Sequence, residues 1–558
     1  MNKLARPIEP LTGVASASSS PRDRSLSPCH YAVMSSPLHG AAYLVIGLAA
    51  MLPLPPALAA TSSDLGRRLV TQGNARGATA CASCHGEHGE SNAQAGFPRL
   101  AGLNAGYLRA QLEAFQTGQR QSPVMGPIAE ALDKAEVAAA ASSYARARAA
   151  YPAAGVESAD WDGGETLARF GAWPDRHLPA CVQCHGPGGR GVGASFPAIA
   201  GQNAAYIQSQ IAAWKSGLRR NDPLGLMRSV AAKLSDAEAA AVAAYFASLP
   251  SQPRTGRTAP PAAEGVSSEV PAASTVVASA DRYFRPPPRS AIPSGPFGDA
   301  VRDGEAIFRR TDTHPLSSQF VGNDLRCENC HLDAGRLANS APMWAAWVAY
   351  PAYRPKNDKV NTIGERIQGC FRFSMNAQGS AAGATPPPDS PVIVELMSYL
   401  YWLASGVPTG DTQMPGRGYP KLEDTALGFD PQRGAAVYAA KCALCHGQHG
   451  QGQRVGGRSV FPPLWGPRAY NWGAGMHAVD TAAAFIKSNM PLGLPESLSN
   501  QEAWDVAAFV NSRERPQDPR YDGSLKQTRE RYHSGKYDYY GKWRTPSGRL
   551  LGAPAARR

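Results

Sequence analysis

The sequence predicts a mainly α-helical chain of four small, similar domains arranged as two pairs. Three observations predict it. The run Cys-x-x-Cys-His occurs four times, at Cys81–His85, Cys181–His185, Cys327–His331 and Cys442–His446. The first two runs sit in an internal repeat with a period close to 100 residues, too long for a solenoid unit and right for tandem domains. Between the pairs, residues 251–296 turn to Pro, Ala, Ser and Thr with little apolar periodicity, the composition of a semi-rigid linker.

In chain order, residues 1–60 read as an export leader. An apolar core from Ala41 to Leu52 precedes the small residues Ala57-Leu58-Ala59-Ala60, and Pro53, Pro55 and Pro56 break a stretch already short for a membrane span. Residues 61–155 and 156–250 are the two repeat units. Phe97-Pro98 matches Phe196-Pro197, Ala101-Gly102 matches Ala200-Gly201, and Tyr107, Gln111 and Gly118 match Tyr206, Gln210 and Gly217. Both units read as helical. Tyr206, Ile207, Ile211 and Trp214 recur near helical spacing, and Ser235 with Glu238 forms a capping box that Asp133 and Glu136 repeat. Residues 297–420 open with a helix at Gly304–Phe308 and close with one carrying Leu396, Tyr399, Leu400 and Leu403 on one face. Residues 421–515 open at Gly434–Tyr438 and close with a helix capped by Ser499 and Glu502. Residues 516–558 are a basic, Tyr-rich tail, expected to lie on the surface.

The chemistry follows from the repeated run. Two thiols at this spacing add to the vinyl groups of a haem, and the next histidine binds its iron. Zinc is the rival for paired cysteines, but each pair here is followed directly by histidine. The expectation is four covalently bound haems c, on Cys81/Cys84, Cys181/Cys184, Cys327/Cys330 and Cys442/Cys445, with His85, His185, His331 and His446 on the irons. A methionine thioether often takes the opposite position. Met125 and Met227 are the sole methionines of their units and are assigned that role. Of ten cysteines, eight are used in this way and Cys29 lies in the leader, which leaves Cys370. A thiol beside a haem can be an iron ligand, a sulfur nucleophile or both. The net charge of +12 favours anions or acidic partners. No Lys/Arg run is interleaved with aromatics, so nucleic acid is not expected.

These residues carry resemblances. Small helical domains with an early attachment run and a later methionine resemble class I cytochromes c. The Cys-His-Gly, Phe-Pro, Ala-Gly, Tyr and Gln positions of the first half resemble the tandem dihaem cytochromes of the c-four type. The segments Arg326–Arg336 and Glu365–Asn376, with Lys487–Pro491, resemble the dihaem thiosulfate dehydrogenases, whose known acceptor is a c-four-type protein. The chain therefore looks like an acceptor fused to its dehydrogenase. By resemblance, Cys370 is the second ligand of the iron held by His331, and Met490 that of the iron held by His446, with Met476 as the alternative.

The implied reaction couples two thiosulfates to tetrathionate with release of two electrons. Thiosulfate is a doubly charged anion, so pairing two of them at a sulfur needs positive help. Arg366, one helical turn before Cys370, is the best candidate. Ser374, one turn after, can donate a hydrogen bond, and Arg354 and Lys356 add charge. Lys356 and Phe373 stand where the family usually has arginine, and lysine lacks the bidentate fork. Expected partners are thiosulfate or tetrathionate and a downstream acceptor: a soluble cytochrome, a high-potential iron–sulfur protein or an oxidase. The expected location is the periplasm, and the reading has room for a homo-oligomer. The rival readings are a tetrathionate reductase at the same site, a non-catalytic tetrahaem electron wire, and a cytochrome that conjugates thiosulfate to a carrier protein.

Overall fold

The computed structural model describes residues 62–92, 95–149, 162–251, 282–545 and 547–554. The expected leader and residues 252–281 of the expected linker lie outside them. Among the described residues, helices dominate, and strands are confined to two antiparallel hairpins, β1 (Ala352–Arg354) with β2 (Lys359–Asn361) and β3 (Gln453–Val455) with β4 (Arg458–Phe461). No helix among them is long and apolar enough to cross a membrane.

One plan recurs in all four units: an opening helix crosses a closing helix over the attachment turn. In the first unit α1 (Ser62–Gln72) crosses α4 (Lys134–Arg146), with α2 (Ala105–Gln116) and α3 (Met125–Glu130) between them. In the second, α5 (Asp162–Phe170) crosses α8 (Asp236–Ser248), with α6 (Ala204–Ser216) and α7 (Leu226–Ala232) between. In the third, α9 (Pro296–Arg309) crosses α12 (Pro391–Leu403), enclosing α10 (Met343–Ala349) and α11 (Ile363–Phe373). In the fourth, α13 (Pro431–Lys441) crosses α15 (Asn500–Asn511), and α14 (Val479–Asn489) packs on α15.

A glycine makes each crossing close. A Cβ added at Gly66, Gly164, Gly304 or Gly434 would stand 2.6, 2.1, 2.1 or 2.0 Å from the carbonyl oxygen of Ala139, Ala241, Glu395 or Asp505. No side chain larger than hydrogen fits at those separations. The expected capping boxes are present, Asp133 with Glu136, Ser235 with Glu238 and Ser499 with Glu502, each satisfying amide groups that the first helical turn leaves unbonded.

The repeat residues Tyr107, Gln111, Tyr206 and Gln210 meet at the junction of the first two units. Arg120 donates to the Gln111 and Gln210 side-chain oxygens and the Tyr206 hydroxyl. Arg219 mirrors it, donating to Gln210, Gln111 and the Tyr107 hydroxyl. The second unit also docks on the second half. Phe196 packs on Phe461 with ring centroids 5.0 Å apart, in a cluster that includes Cys184 and Cys445. The Phe170 ring receives the guanidinium groups of Arg289 and Arg309 at 4.5 and 4.6 Å.

Two expectations on chain segments need correction. Residues 282–296, read as linker, are built into the third unit: Arg289 pairs with Glu305 at 2.6 Å and Asp333 at 3.3 Å, and Phe284 packs edge-on against Trp344. The tail beyond residue 515 is not a surface wrap. Tyr539, Tyr540 and Leu551 are buried with Trp472 and Trp504 in the core of the fourth unit. Tyrosine and tryptophan supply the apolar area that a basic composition conceals.

Candidate functional site

The four attachment histidines share one geometry. His85, His185 and His446 set Nδ1 against the carbonyl oxygens of Pro98, Pro197 and Pro462 at 3.1, 2.8 and 2.9 Å. His331 does the same with Ala341 at 2.8 Å. Each bond leaves Nε2 as the free ligand atom. Burial lowers the pKa of all four, to about 4 for His331, and so keeps the imidazoles neutral as metal binding requires.

The surroundings fit haem c. A cavity of about 630 Å³ reaches both N-terminal attachment pairs and is lined by Met125, Met227, Arg120 and Arg219. Those two arginines are buried with only neutral oxygens as partners, an arrangement that suits a carboxylate-bearing group. In the second half Trp472 Nε1, Asn511 Nδ2 and Arg515 Nε and Nη1 are buried donors without protein partners, again matching carboxylates.

The third unit departs from the other three. Glycine with positive φ follows the motif histidine at Gly86, Gly186 and Gly447, but Leu332 follows His331. Asp333, Ala334, Asn339 and Ala341 all hold φ between 47° and 61° within this one loop. Such backbone concentrates where a site dictates the path of the chain.

α11 carries the residues singled out beside it. Thr362 caps the helix through a box with Glu365, and Ile363, Gly364, Ile367 and Phe371 form its buried face. Arg366 and Cys370 lie four residues apart, hence on one face. Arg366 Nη1 donates to Cys370 Sγ at 2.9 Å. The arginine is held above its ordinary pKa, first by the sulfur charge of Cys370 and further by Tyr350 against the cost of burial. Cys370 also lies close to the third attachment pair: burial pushes the Cys330 thiol up to about 12, with Cys370 as the second cause.

β1 and the turn after it bring the remaining charge. Arg354 donates to the Tyr350 hydroxyl at 2.7 Å, and Tyr350 also faces Arg366. Lys356 donates to the Gly473 carbonyl and lies 4.1 Å from the centroid of the Phe373 ring. Burial first, then Arg520 and Arg366, lower its pKa to about 7. None of Arg354, Lys356 and Arg366 makes an ion pair among the described residues. No described carboxylate is bound to any of the three.

The structure thus gathers Cys370, Arg366, Arg354 and Lys356. Ser374 is at the C-terminal cap of α11, where its amide bonds the Cys370 carbonyl at 2.8 Å. Two contributors lie outside the sequence expectations. Tyr350 joins the two arginines. Arg520, from the tail, reaches within 5.1 Å of the Phe373 ring and is locked by Asp518. Neither stands in a motif, and only proximity in the fold reveals them. Among the methionines, Met490 ends α14, whereas Met476 packs against the core of the third unit.

Known proteins resemble this chain segment by segment. The family model for cytochrome c matches residues 66–144 and 177–250, and that for subunit III of cbb3-type cytochrome C oxidase matches residues 429–510. A thiosulfate dehydrogenase of Stutzerimonas stutzeri (strain A1501) is 52% identical over 274 residues, covering 49% of this chain and 86% of the relative. The thiosulfate dehydrogenase electron acceptor of the same organism is 48% identical over 212 residues, covering 38% of this chain and 97% of that protein. A solved structure, the thiosulfate dehydrogenase TsdBA of Marichromatium purpuratum in its as-isolated form, is 50% identical with a TM-score of 0.80 and covers 88% of this chain and 100% of that one. The chain belongs to the thiosulfate dehydrogenase family, with the dehydrogenase and its cytochrome acceptor on one polypeptide.

Proposed function

We infer that this chain oxidises two thiosulfates to one tetrathionate, and that Cys370 is the sulfur on which they are joined. The observation that carries the assignment is Arg366 Nη1 at 2.9 Å from Cys370 Sγ, beside cations that have no acidic partners. The haems, when bound, accept the two electrons and conduct them to the acceptor.

The thiolate of Cys370 meets the outer sulfur of a first thiosulfate. A sulfur–sulfur bond forms between them as two electrons leave, giving Cys370–S–S–SO₃⁻. A second thiosulfate attacks the outer sulfur of that bond. The Cys370–sulfur bond breaks, tetrathionate departs and the thiolate is restored. No proton is transferred, which suits a site whose charged groups are arginine and lysine. Arg366 stabilises the thiolate as leaving group. Arg354 and Lys356 hold the sulfonate ends, and Ser374 lies one turn from the sulfur. The implied assignments are His85 with Met125, His185 with Met227, His331 with Cys370 and His446 with Met490 as ligand pairs.

The periplasm is the location that fits covalent haem and the expected leader. The final acceptor is a soluble cytochrome, a high-potential iron–sulfur protein or an oxidase. Cys370→Ala tests the reading: protein that loads four haems should lose thiosulfate-dependent haem reduction. Full reduction with tetrathionate formed would overturn it.

A further inference from the structure

His477, His533 and Asp538 come from two pieces of chain: the turn before α14, and the tail, where His533 follows α16 (Leu525–Tyr532) and Asp538 lies five residues further on. Their side chains are 12%, 0% and 6% exposed. His477 Nε2 and His533 Nδ1 each stand 2.7 Å from the same atom, Asp538 Oδ2. The outer nitrogens are engaged too. His477 Nδ1 faces the Ala474 carbonyl, and His533 Nε2 lies 2.8 Å from Asp518 Oδ2.

Four ring nitrogens therefore face four oxygen contacts. A neutral imidazole carries one N–H, so the pair supplies two protons for four contacts. The oxygens cannot supply the rest. One belongs to a carbonyl. Asp518 is ion-paired to Arg520 at 2.6 Å and accepts from the Arg520 amide, and Asp538 accepts from the Tyr540 amide at 3.0 Å, so both carboxyls stand as acceptors. Two nitrogen lone pairs would then oppose oxygen lone pairs at hydrogen-bond distance. Charge points the same way, because two buried carboxylates against a single permanent cation, Arg520, leave one negative charge unbalanced. Further positive charge belongs in the cluster.

We propose that His477 Nε2, His533 Nδ1 and a carboxylate oxygen of Asp538 bind one divalent transition-metal ion of the zinc class. Two imidazoles and a carboxylate are a zinc donor set, and the three ligand atoms lie within 4.8 Å of one another. Asp518 on His533 and the Ala474 carbonyl on His477 are the outer acceptors that orient metal-binding imidazoles. The ion spreads the ligands: atoms about 2.0–2.1 Å from zinc in a tetrahedral array stand about 3.3 Å apart, so the present contacts of 2.7 Å open on binding. The metal pins the tail to the fourth unit. Through Asp518 it fixes Arg520, and with it one wall of the anion pocket. The ion is distinct from the four irons and takes no part in the sulfur chemistry.

The test is elemental analysis of full-length holoprotein produced with added zinc and dialysed. About one zinc for every four irons is expected, with nitrogen and oxygen ligation at the zinc X-ray absorption edge. His477→Gln and Asp538→Asn keep polar contacts but lose ligand strength; both should keep four irons and an unchanged haem spectrum while losing zinc. Wild-type protein with its full iron and no zinc overturns the proposal and assigns the cluster to two extra protons. Zinc retained at full stoichiometry in both variants overturns it equally.

Discussion

At Cys370 the sulfur and a guanidinium meet on one helical face, 2.9 Å apart. Arg366→Gln removes the cation, and kcat/KM for thiosulfate should fall by about 10²–10³-fold, the usual cost of deleting one preorganised donor to developing charge. Arg366→Lys should recover part of it, because a point charge cannot face Cys370 and Tyr350 together. Steady-state kinetics on proteins matched for haem content decide this; an unchanged kcat/KM in Arg366→Gln removes the residue from the site.

Lys356 carries a pH prediction. With its pKa lowered to about 7, the side chain is an ammonium below neutrality and an amine above it. Only the ammonium attracts an anion, so KM for thiosulfate should rise as pH increases through 7, and Lys356→Arg should flatten the profile. Cysteine counting alone exposed Cys370, and helical spacing exposed Arg366. Tyr350 and Arg520 escaped because a tyrosine in a loop and an arginine in a tail have no periodic or motif signature.

The helices owe their crossings to glycines, and one pair of neighbours isolates the effect. A Cβ at Gly163 would meet nothing within 4 Å, whereas one at Gly164 would stand 2.1 Å from the Ala241 carbonyl oxygen. Gly163→Ala should be neutral or stabilise by up to about 1 kcal/mol through helix propensity. Gly164→Ala should destabilise by about 1–3 kcal/mol or more through overpacking. Thermal melts of the two variants compare them directly; equal melting temperatures would deny the close crossing. The helices themselves were legible from caps and periodicity. The fate of residues 282–296 and of the tail was not, since proline-rich and tyrosine-rich stretches bury area through single aromatic contacts such as Phe284 on Trp344.

For the whole molecule, the two tandem pairs were legible from repeated motifs, but their mutual docking was not. Phe196 and Phe461 are far apart in sequence, and nothing in either neighbourhood names the other. Their contact places the attachment cysteines Cys184 and Cys445 in one apolar cluster. The prediction that follows is that electrons from the catalytic half enter the N-terminal pair through the second unit. Phe461→Ala should loosen that contact. After rapid mixing with thiosulfate, reduction of the N-terminal half should lag while the catalytic half reduces at its normal rate. Simultaneous reduction in the variant would place the transfer elsewhere.

The grip on Phe170 by Arg289 and Arg309 has a kinetic consequence. Separate redox partners must find each other by diffusion, and that search favours patches of opposite charge. Here the partner is held on the same chain, so its local concentration does not change on dilution. The first transfer then needs no encounter, and a few ring and guanidinium contacts can hold a junction that two free proteins would have to bury over a far larger area. The surface is released from matching its partner's charge. The net positive charge of the chain remains available to draw a small dianion towards the enzyme.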